Sequence, residues 1–449
     1  MMNTIALLKK YNVAAPRYTS YPTVPFWDVD KFDNKQWLFS VKNCFDNRKN
    51  DGISLYIHLP FCESLCTYCG CNTRITKNHN VENPYINALL KEWQMYVNVL
   101  GEKPKIKELH LGGGTPTFFS AENLSNLIEG ILENSEPTFD SEFSFEAHPD
   151  NTSEAHLQTL YNLGFRRLSL GIQDFDGKVQ QMINRYQTPL QVELITKIAR
   201  KIGYQSVNFD LIYGLPFQTL NGLEKTLNHV IRINPDRIAF YSYAHVPWLK
   251  PGQRRYTEHD LPNSEMKFDL YNLGKSKLLQ AGFEEIGMDH FAKKTDSLFI
   301  ALEQNNLYRN FMGYTHQHTA LLIGLGVSSI SDSQKAFAQN AKTVESYLEK
   351  INKNSFAIEK GHILTDRDSK IRRQITEIMC NGKANFIDGI SKPVNHKLLP
   401  LINDGLIELS ENILVVNNAG KPFLRNICMA FDERLWEKTL ATQMFSYAI

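Results

Sequence analysis

The feature that most constrains the fold is a regular alternation of short apolar runs with longer helical stretches, which begins near residue 53. The runs have the length of β-strands, and they cover residues 53–59, 106–111, 142–147, 167–172, 207–212 and 237–242. Helical stretches lie between them, for example at residues 84–100, 189–202 and 220–233. Such an alternation of strands and helices indicates parallel βαβ units. Six such units predict an α/β fold, an open or partial (β/α)6 barrel, whose chemistry lies at the carboxyl ends of the strands.

The regions that flank this alternation have different patterns. Residues 1–48 are mixed and include an aromatic, proline-punctuated segment at 16–22 that cannot be helical. After residue 360 the pattern is mostly helical, with a helix predicted at 369–380 and a hairpin at 406–409 and 413–416. We therefore predict an N-terminal arm at 1–48, a barrel with its extension at 49–360, and a small, mostly helical or winged-helix-like domain at 361–449. The last domain lacks a concentrated basic face, so we expect a packing or lid role rather than DNA binding.

Composition excludes some classes of protein. The formal net charge of the 449 residues is +1, which gives no indication of a polyanionic partner. No apolar run approaches the roughly 20 residues that a membrane-spanning helix needs. The first residues contain lysines but no long apolar stretch and no cleavage pattern, so we expect no secretory signal and a cytoplasmic location.

Four of the seven cysteines fall within ten residues. Cys62, Cys66 and Cys69 form a CxxxCxxC motif directly after the first predicted strand, and Cys71 follows. Thiolates are the usual ligands of iron–sulfur clusters, and three ligands for a four-iron cluster leave one iron open to a small molecule. The alternative is a zinc site that adds His58 or Cys71, but structural zinc sites usually have a second knuckle, and none is present. We interpret Cys71 as a non-ligand near the site.

Polar and glycine residues follow the other predicted strands. Gly112, Gly113 and Gly114, with Thr115, end the second strand, and a glycine turn allows close approach of a ligand to the backbone. Single polar residues lie at the ends of later strands: Glu146, Gln173, Asp174 and Asp210. Together they predict a ring around one cavity. Arg185 could bind a carboxylate through two nitrogens, or it could form a surface ion pair.

The cysteine loop resembles that of the radical S-adenosylmethionine (SAM) enzymes. The resemblance extends to their oxygen-independent coproporphyrinogen III oxidase (dehydrogenase) family, over nearly the whole chain. The matching segments are residues 16–22, 56–71, 112–117, 168–175, 208–216, 287–292, 324–331 and 425–432.

This resemblance implies a partial (β/α)6 radical-SAM barrel with an N-terminal arm and a C-terminal helical domain. It implies a [4Fe–4S] cluster on Cys62, Cys66 and Cys69, with SAM chelating the open iron. One electron would then yield a 5′-deoxyadenosyl radical, which takes a hydrogen atom from a substrate propionate. Loss of carbon dioxide and one electron would leave a vinyl group. Two such reactions would convert coproporphyrinogen III to protoporphyrinogen IX, in a protein that is expected to be a monomer.

The resemblance also implies two SAM molecules. Residues in the matching positions for the first are Tyr56, Gly113, Glu146 and Ile330. Those for the second are Tyr68, Gly114, Thr115, Gln173, Arg185, Asp210 and Ala244. For the tetracarboxylate substrate, we hypothesise that Arg17 and the Arg425 segment supply cations. Replacement of Arg17 should then raise the Michaelis constant strongly, and an unchanged constant would contradict the hypothesis.

One loop departs from the family pattern. Where relatives read Phe-Gln-Gly-Tyr followed by a threonine- and aspartate-bearing run, this chain has Met312 in place of the glutamine and no acidic residue after it. Three other functions compete: a haem chaperone, a haem-degrading relative and a zinc-binding structural protein. The long N-terminal arm and Cys71 favour the decarboxylating enzyme over the haem chaperones, which typically lack both.

Overall fold

The computed structural model describes residues 4–387, 389–437 and 444–447. Twelve of the strands form one sheet, and the other strands form three small sheets. The strands are β1 Ile53–Leu59, β2 Phe61–Cys62, β3 Arg74–Ile75, β4 Lys105–Gly113, β5 Glu136–Ala147, β6 Phe165–Gln173, β7 Ser206–Tyr213, β8 Arg237–Ser242, β9 Phe283–Gly287, β10 His290–Lys293, β11 Tyr308–Asn310, β12 Gly313–Thr315, β13 Leu322–Leu325, β14 Ile330–Asp332, β15 Ala336–Asn340, β16 Ile358–Ile363, β17 Lys383–Asn385, β18 Ile407–Ser410 and β19 Ile413–Val416.

The helices begin and end where the sequence provides caps. In the helix that starts at Pro189, Thr188 and Gln191 form a capping box, and Gly203 ends it in a left-handed conformation with φ of 118°. The helices are α1 Thr4–Tyr11, α2 Asn34–Arg48, α3 Glu82–Leu100, α4 Ala121–Leu132, α5 Glu154–Asn162, α6 Gly177–Ile183, α7 Pro189–Ile202, α8 Leu220–Ile233, α9 Ser264–Gln280, α10 Ser297–Glu303, α11 Val344–Asn352, α12 Asp366–Asn381, α13 Lys392–Asn403, α14 Leu424–Met429 and α15 Glu433–Glu437. In the described part of the chain, no helix combines the length and the apolar character that crossing a membrane requires.

Six neighbouring strands form the predicted partial barrel. β1, β4, β5, β6, β7 and β8 lie side by side in chain order, and each pair is parallel. Their carboxyl ends therefore share one edge of the sheet. The register places His58 of β1 beside Gly112 of β4, so the start of the cysteine loop lies next to the glycine turn.

The sheet continues beyond the six strands on both sides. β13 pairs with β1 in parallel, and β14, β15 and β16 follow in antiparallel order. On the other side, β10 pairs in antiparallel fashion with β8, and β9 pairs in antiparallel fashion with β10. The edge strand β16, Ile358–Ile363, spans the boundary that was predicted between the barrel region and the C-terminal domain at residues 360 and 361. The limits of the three predicted regions stay a prediction.

The main apolar core lies between the barrel strands and their helices. It includes buried strand residues such as Leu55, Ile57 and Leu109, and buried helix residues such as Leu89 and Trp93. The sequence analysis did not predict α2, whose residues Trp37, Val41 and Phe45 are also in this core. The second half of the N-terminal region is thus packed onto the barrel.

A second apolar cluster joins the two ends of the chain. Leu7, Leu8 and Tyr11 of α1 and Tyr18 and Tyr21 of the arm pack with residues of α12, α13 and α14. The Tyr18 hydroxyl also donates a 3.0 Å hydrogen bond to Asp432. The predicted hairpin is present as β18 and β19, and β17 extends it to three strands. The first half of the N-terminal arm is therefore packed against the C-terminal helices.

Candidate functional site

The three motif cysteines lie on one loop at the carboxyl end of β1. Cys62 ends β2, which pairs with β3 on the far side of the loop. The Cys69 amide donates to the Cys66 carbonyl at 3.1 Å, and the Cys71 amide donates to Cys69 Sγ at 3.4 Å. The loop thus turns back on itself and keeps its thiols on one side.

The end of α6 holds this loop in place. Thr67 donates through its amide to the Ile183 carbonyl and through its hydroxyl to the Met182 carbonyl, both at 2.9 Å. Asn184 Nδ2 donates to the Leu65 carbonyl at 2.8 Å. Since α6 follows β6, the position of the cysteines depends on a part of the barrel more than 100 residues away.

The loop covers a cavity of about 420 Å³ at the carboxyl ends of the parallel strands. This cavity is lined by most of the site residues that were predicted from the sequence. They are Cys62, Cys66, Cys69, Tyr68, Gly113, Gly114, Thr115, Glu146, Gln173, Arg185 and Asp210. Tyr56, Asp174, Ala244 and Ile330 do not line it. Asp174 is instead wholly buried and accepts hydrogen bonds from Gln218 and Thr226. The Ala244 carbonyl still lies near the loop, because Gln253 Nε2 donates both to it and to the Tyr68 carbonyl, each at 3.2 Å.

His58 is engaged on both sides of its ring. Nδ1 lies 2.9 Å from the Tyr56 hydroxyl, and Nε2 lies 2.8 Å from the Asn72 carbonyl. Nε2–H therefore donates to the carbonyl, and Nδ1 accepts from the hydroxyl. No nitrogen remains for a metal. Among the described residues, no three His, Cys, Asp or Glu side chains converge on a single ion. His58 is therefore not available as the fourth ligand of a zinc site.

The thiols differ in acidity. Burial raises the pKa of Cys62 to about 12, although the Thr115 hydroxyl opposes this from 3.3 Å. Burial likewise raises the pKa of Cys66, although the nearby Arg185 cation acts to lower it. Hydrogen bonds from Cys71 lower the pKa of Cys69 to about 6 and outweigh its burial. A metal cluster would favour the thiolate form of all three, since metal ligation deprotonates a coordinating thiol.

The glycine turn is packed against the cysteine strand. Gly113 has φ of 115°, and a Cβ there would lie 2.6 Å from the His58 ring. A Cβ on Gly114 would lie 2.5 Å from the Pro60 carbonyl oxygen. The Gly114 amide donates to the Leu59 carbonyl at 2.8 Å, and the Thr115 amide donates to the Phe61 carbonyl at 3.0 Å. Any side chain at these positions would displace the strand that carries Cys62.

Glu146 faces the glycine turn as an anion. It accepts from the Gly113 amide at 3.1 Å, and its other oxygen lies 3.5 Å from His110 Nε2. His110 is oriented by Ser144 Oγ, 2.8 Å from its Nδ1. Burial acts to raise the pKa of Glu146, but His110 and the Gly113 amide outweigh burial, and the net effect lowers it. A carboxylate in this position can accept hydrogen bonds from hydroxyl or ammonium groups.

Arg185 brings a buried cation to the thiols. Its guanidinium donates to the Gly171 carbonyl and, at 3.7 Å, to Cys66 Sγ. Within the described residues, Arg185 Nε has no hydrogen-bond partner. A buried guanidinium nitrogen left over in this way suits the carboxylate of a bound molecule.

Two more predicted residues lie beside Arg185. Gln173 ends β6 with φ of 66°, an unusual backbone conformation for a residue with a side chain. Asp210 accepts from Ser169 Oγ at 3.0 Å and Asn208 Nδ2 at 2.8 Å. Burial, aided by the charge of Glu146, raises the pKa of Asp210 to about 6. This side of the cavity therefore offers a cation and polar acceptors together.

The sequence analysis missed several polar residues of the cavity wall. They come from strands and from the hairpin of β11 and β12: His110, Glu142, Arg167, Tyr241, His290, Asn310 and Tyr314. Most lie inside strands, where a polar residue has no distinctive local pattern. Met312, the departure from the family pattern, also lines the cavity.

Arg17 and Arg425, which were paired on sequence alone, have different environments in the structure. Arg425 is buried and donates to backbone carbonyls of Ala15, Pro16 and Tyr447, so it ties the N-terminal arm to the C-terminal end. Arg17 is partly exposed, donates to the Ser242 carbonyl at 2.9 Å and lies 3.6 Å from Asp289. The Arg425 guanidinium therefore has a clear structural role.

Comparison with known proteins identifies the family. The model of the Radical SAM superfamily matches residues 56–230. The oxygen-independent coproporphyrinogen III oxidase of Salmonella typhimurium is 38% identical over 456 residues, 99% of this chain and 98% of that protein. The protein of the same name from Helicobacter pylori strain J99 is 38% identical, over 98% of this chain and 100% of the relative. The chain belongs to the oxygen-independent coproporphyrinogen III oxidase family.

A solved structure of this family has the same fold. The coproporphyrinogen III oxidase of Escherichia coli, described as a radical SAM enzyme, matches with a TM-score of 0.90 at 36% identity, over 96% of this chain and 99% of that one. The fold class predicted from the sequence is confirmed. Membership of the radical SAM superfamily implies a [4Fe–4S] cluster and SAM, and the three thiols beside the cavity fit these groups.

Proposed function

We propose that this chain decarboxylates two propionate side chains of coproporphyrinogen III to vinyl groups without oxygen, giving protoporphyrinogen IX. The observation that carries the proposal is one cavity that gathers the cysteine loop, the glycine turn and the polar strand ends, in a chain that matches this family over nearly its full length. The proposal includes a monomeric protein in the cytoplasm.

Cys62, Cys66 and Cys69 would ligate three irons of the cluster. The fourth iron would stay open to SAM, since His58 is engaged on both nitrogens. SAM bound there supplies, after one-electron reduction, a 5′-deoxyadenosyl radical that removes a hydrogen atom from the substrate. Glu146 and the Gly113 backbone would hold this SAM, because the carboxylate and the close backbone approach both lie beside the loop. Tyr56 and Ile330 complete the proposed set.

Arg185 supports a second SAM. Its free Nε, with Gln173 and Asp210 nearby, offers a site for a molecule that carries both a carboxylate and an ammonium group. Tyr68, Gly114, Thr115 and Ala244 are the other residues of this proposed subsite. The chain itself would position these groups for the reaction.

The experiment is an anaerobic assay of reconstituted protein with coproporphyrinogen III, SAM, a reductant for the cluster and an artificial acceptor for the electron that each decarboxylation releases. We expect two molecules of carbon dioxide per protoporphyrinogen IX, with 5′-deoxyadenosine as the product of SAM. The Cys62→Ala variant should lose cluster absorbance and both products. The matched control is Cys44→Ala, since Cys44 lies outside the loop and donates only to the Ala320 carbonyl at 3.4 Å.

Two outcomes would contradict the proposal in different ways. Release of 5′-deoxyadenosine without vinyl products would reject the substrate and keep the radical chemistry. Full activity of the Cys62→Ala variant would reject the cluster assignment.

A further inference from the structure

The cysteine loop is held from outside by the segment that follows β8, residues 247–255. Gln253 Nε2 donates to the Tyr68 carbonyl at 3.2 Å, and Lys250 Nζ donates to the Cys71 carbonyl at 3.0 Å. The residues of this segment do not line the cavity of the candidate site. The segment therefore contacts the cysteine loop on a side that faces away from that cavity.

Large apolar side chains are exposed around this contact. Leu65 of the cysteine loop is 42% exposed, and Trp248 and Leu249 are each 44% exposed. Leu65 lies against the segment, because a Cβ on Gly252 would be 3.4 Å from Leu65 Cδ2. Tyr186, just beyond the end of α6 that holds the loop, is 55% exposed. These four side chains, here called the loop patch, are the kind of exposed apolar surface that binds another molecule.

Positive charge borders the loop patch. The segment 247–255 contains three cations and no carboxylate. Two of the cations, Arg254 and Arg255, are exposed. The cysteine loop contributes one acidic residue, Glu63, and the next carboxylate after the segment is Glu258. An apolar patch with a positive border is complementary to a partner whose own binding surface is acidic.

The proposed chemistry requires one electron at the cluster for each radical that is formed. The cysteines outside the loop, Cys44, Cys380 and Cys428, stand singly in the sequence, so they offer no thiol set for a second cluster that could relay electrons. The rate of electron tunnelling falls steeply with distance, so a donor must dock close to the loop. Leu65 of the loop patch directly precedes the ligand Cys66. The patch is therefore a short route from the protein surface to the cluster.

We propose that the loop patch and the segment 247–255 form the docking surface for a small acidic protein that carries single electrons and reduces the cluster. This inference rests on the proposed function for the presence of the cluster. Trp248 and Leu65 contact the apolar edge around the carrier's redox group, and Arg254 and Arg255 attract its carboxylates. One electron passes from the carrier to the cluster, and no bond forms or breaks. Redox encounters of this kind bury less than about 1,200 Å² in total, so a patch of four side chains with a charged border is sufficient.

The experiment measures how fast two different reductants bleach the cluster absorbance of the reconstituted protein in anaerobic stopped flow. The protein reductant is an acidic flavodoxin in its hydroquinone form, and the small reductant is dithionite. With flavodoxin at low ionic strength, the Arg254→Glu/Arg255→Glu variant should react about tenfold more slowly than wild type, or slower still. The difference should shrink as salt is added, because exposed charges are screened. Trp248→Ala should react about tenfold more slowly at every salt concentration, as expected for an aromatic contact in an interface.

The small reductant and a matched charge reversal provide the controls. Dithionite needs no docking surface, so it should reduce wild type and all variants at the same rate. Lys103→Glu/Lys105→Glu reverses two exposed cations at the amino end of β4, the edge of the barrel opposite the cysteine loop. This control should react with flavodoxin as wild type does.

Several outcomes would overturn the docking surface. They are wild-type rates with flavodoxin in both patch variants, an equal loss of rate with dithionite, an equal loss in the Lys103→Glu/Lys105→Glu control, and a wild type that dithionite reduces but flavodoxin does not. The proposed function fails separately. If flavodoxin reduces wild type, the patch variants lose rate as expected and no vinyl product forms from coproporphyrinogen III, the substrate assignment fails and the docking surface stands.

Discussion

Glu92 in α3 is a wholly buried carboxylate whose titration should make stability depend on pH. It is 0% exposed and accepts from the Gly326 amide at 2.8 Å, from Tyr347 at 2.7 Å and from Asn340 at 2.7 Å. Burial raises its pKa from 4.5 to about 7, although these three donors oppose the shift. The folded state therefore binds a proton that the unfolded state has already released between these two values.

The sign and size follow from this difference. Because the folded state holds more protons in this interval, the free energy of unfolding falls as pH rises from 4.5 towards 7. The two pKa values imply a loss of about 2 kcal/mol from Glu92 between about pH 5.5 and about pH 8. In the Glu92→Gln variant this contribution should be absent.

The assay is anaerobic urea unfolding of wild type and Glu92→Gln at several values of pH in this range. The difference between the two proteins isolates Glu92 from other titrating groups. Glu133→Gln, at the exposed end of α4, is the control and should parallel wild type. Parallel curves for wild type and Glu92→Gln would show that Glu92 does not titrate in this interval, and would refute the reasoning.

Three further predictions concern the site and its support. In Gly113→Ala, the Cβ would lie 2.6 Å from the His58 ring, so the purified protein should hold little iron. The control is Gly101→Ala, also at positive φ but with open space around it, which should keep its cluster. Normal iron content in Gly113→Ala would count against the packing argument. Cys71→Ala should retain cluster absorbance near 410 nm while Cys69→Ala loses it, and the reverse would make Cys71 the ligand. Asp332→Asn leaves the largely buried Arg372 without its carboxylate and should cost about 3–5 kcal/mol of the free energy of unfolding, measured by urea titration. A change below about 1 kcal/mol would show that the pair is not coupled to folding.

The barrel was largely predictable from local pattern. The strand at Ile53–Leu59 and the helices at Pro189–Ile202 and Leu220–Ile233 have the bounds that their apolar periods predicted. The same pattern did not identify α1 and α2, because their apolar faces are complete only against other parts of the chain. Helix caps and strand periods are encoded within a few residues, whereas packing faces are not.

In the candidate site, too, some features are encoded locally in the sequence and others depend on distant parts of the chain. The cysteine spacing, the glycine turn and the strand ends follow from sequence, because parallel strands bring their carboxyl ends to one edge of a sheet. The role of Arg425 did not follow, since its carbonyl partners at Ala15 and Pro16 lie about 410 residues away. By itself, the sequence determined the barrel and the cluster loop; the tertiary structure alone decided which cations lie buried at the cavity wall, since burial and charge balance depend on segments that are distant along the chain.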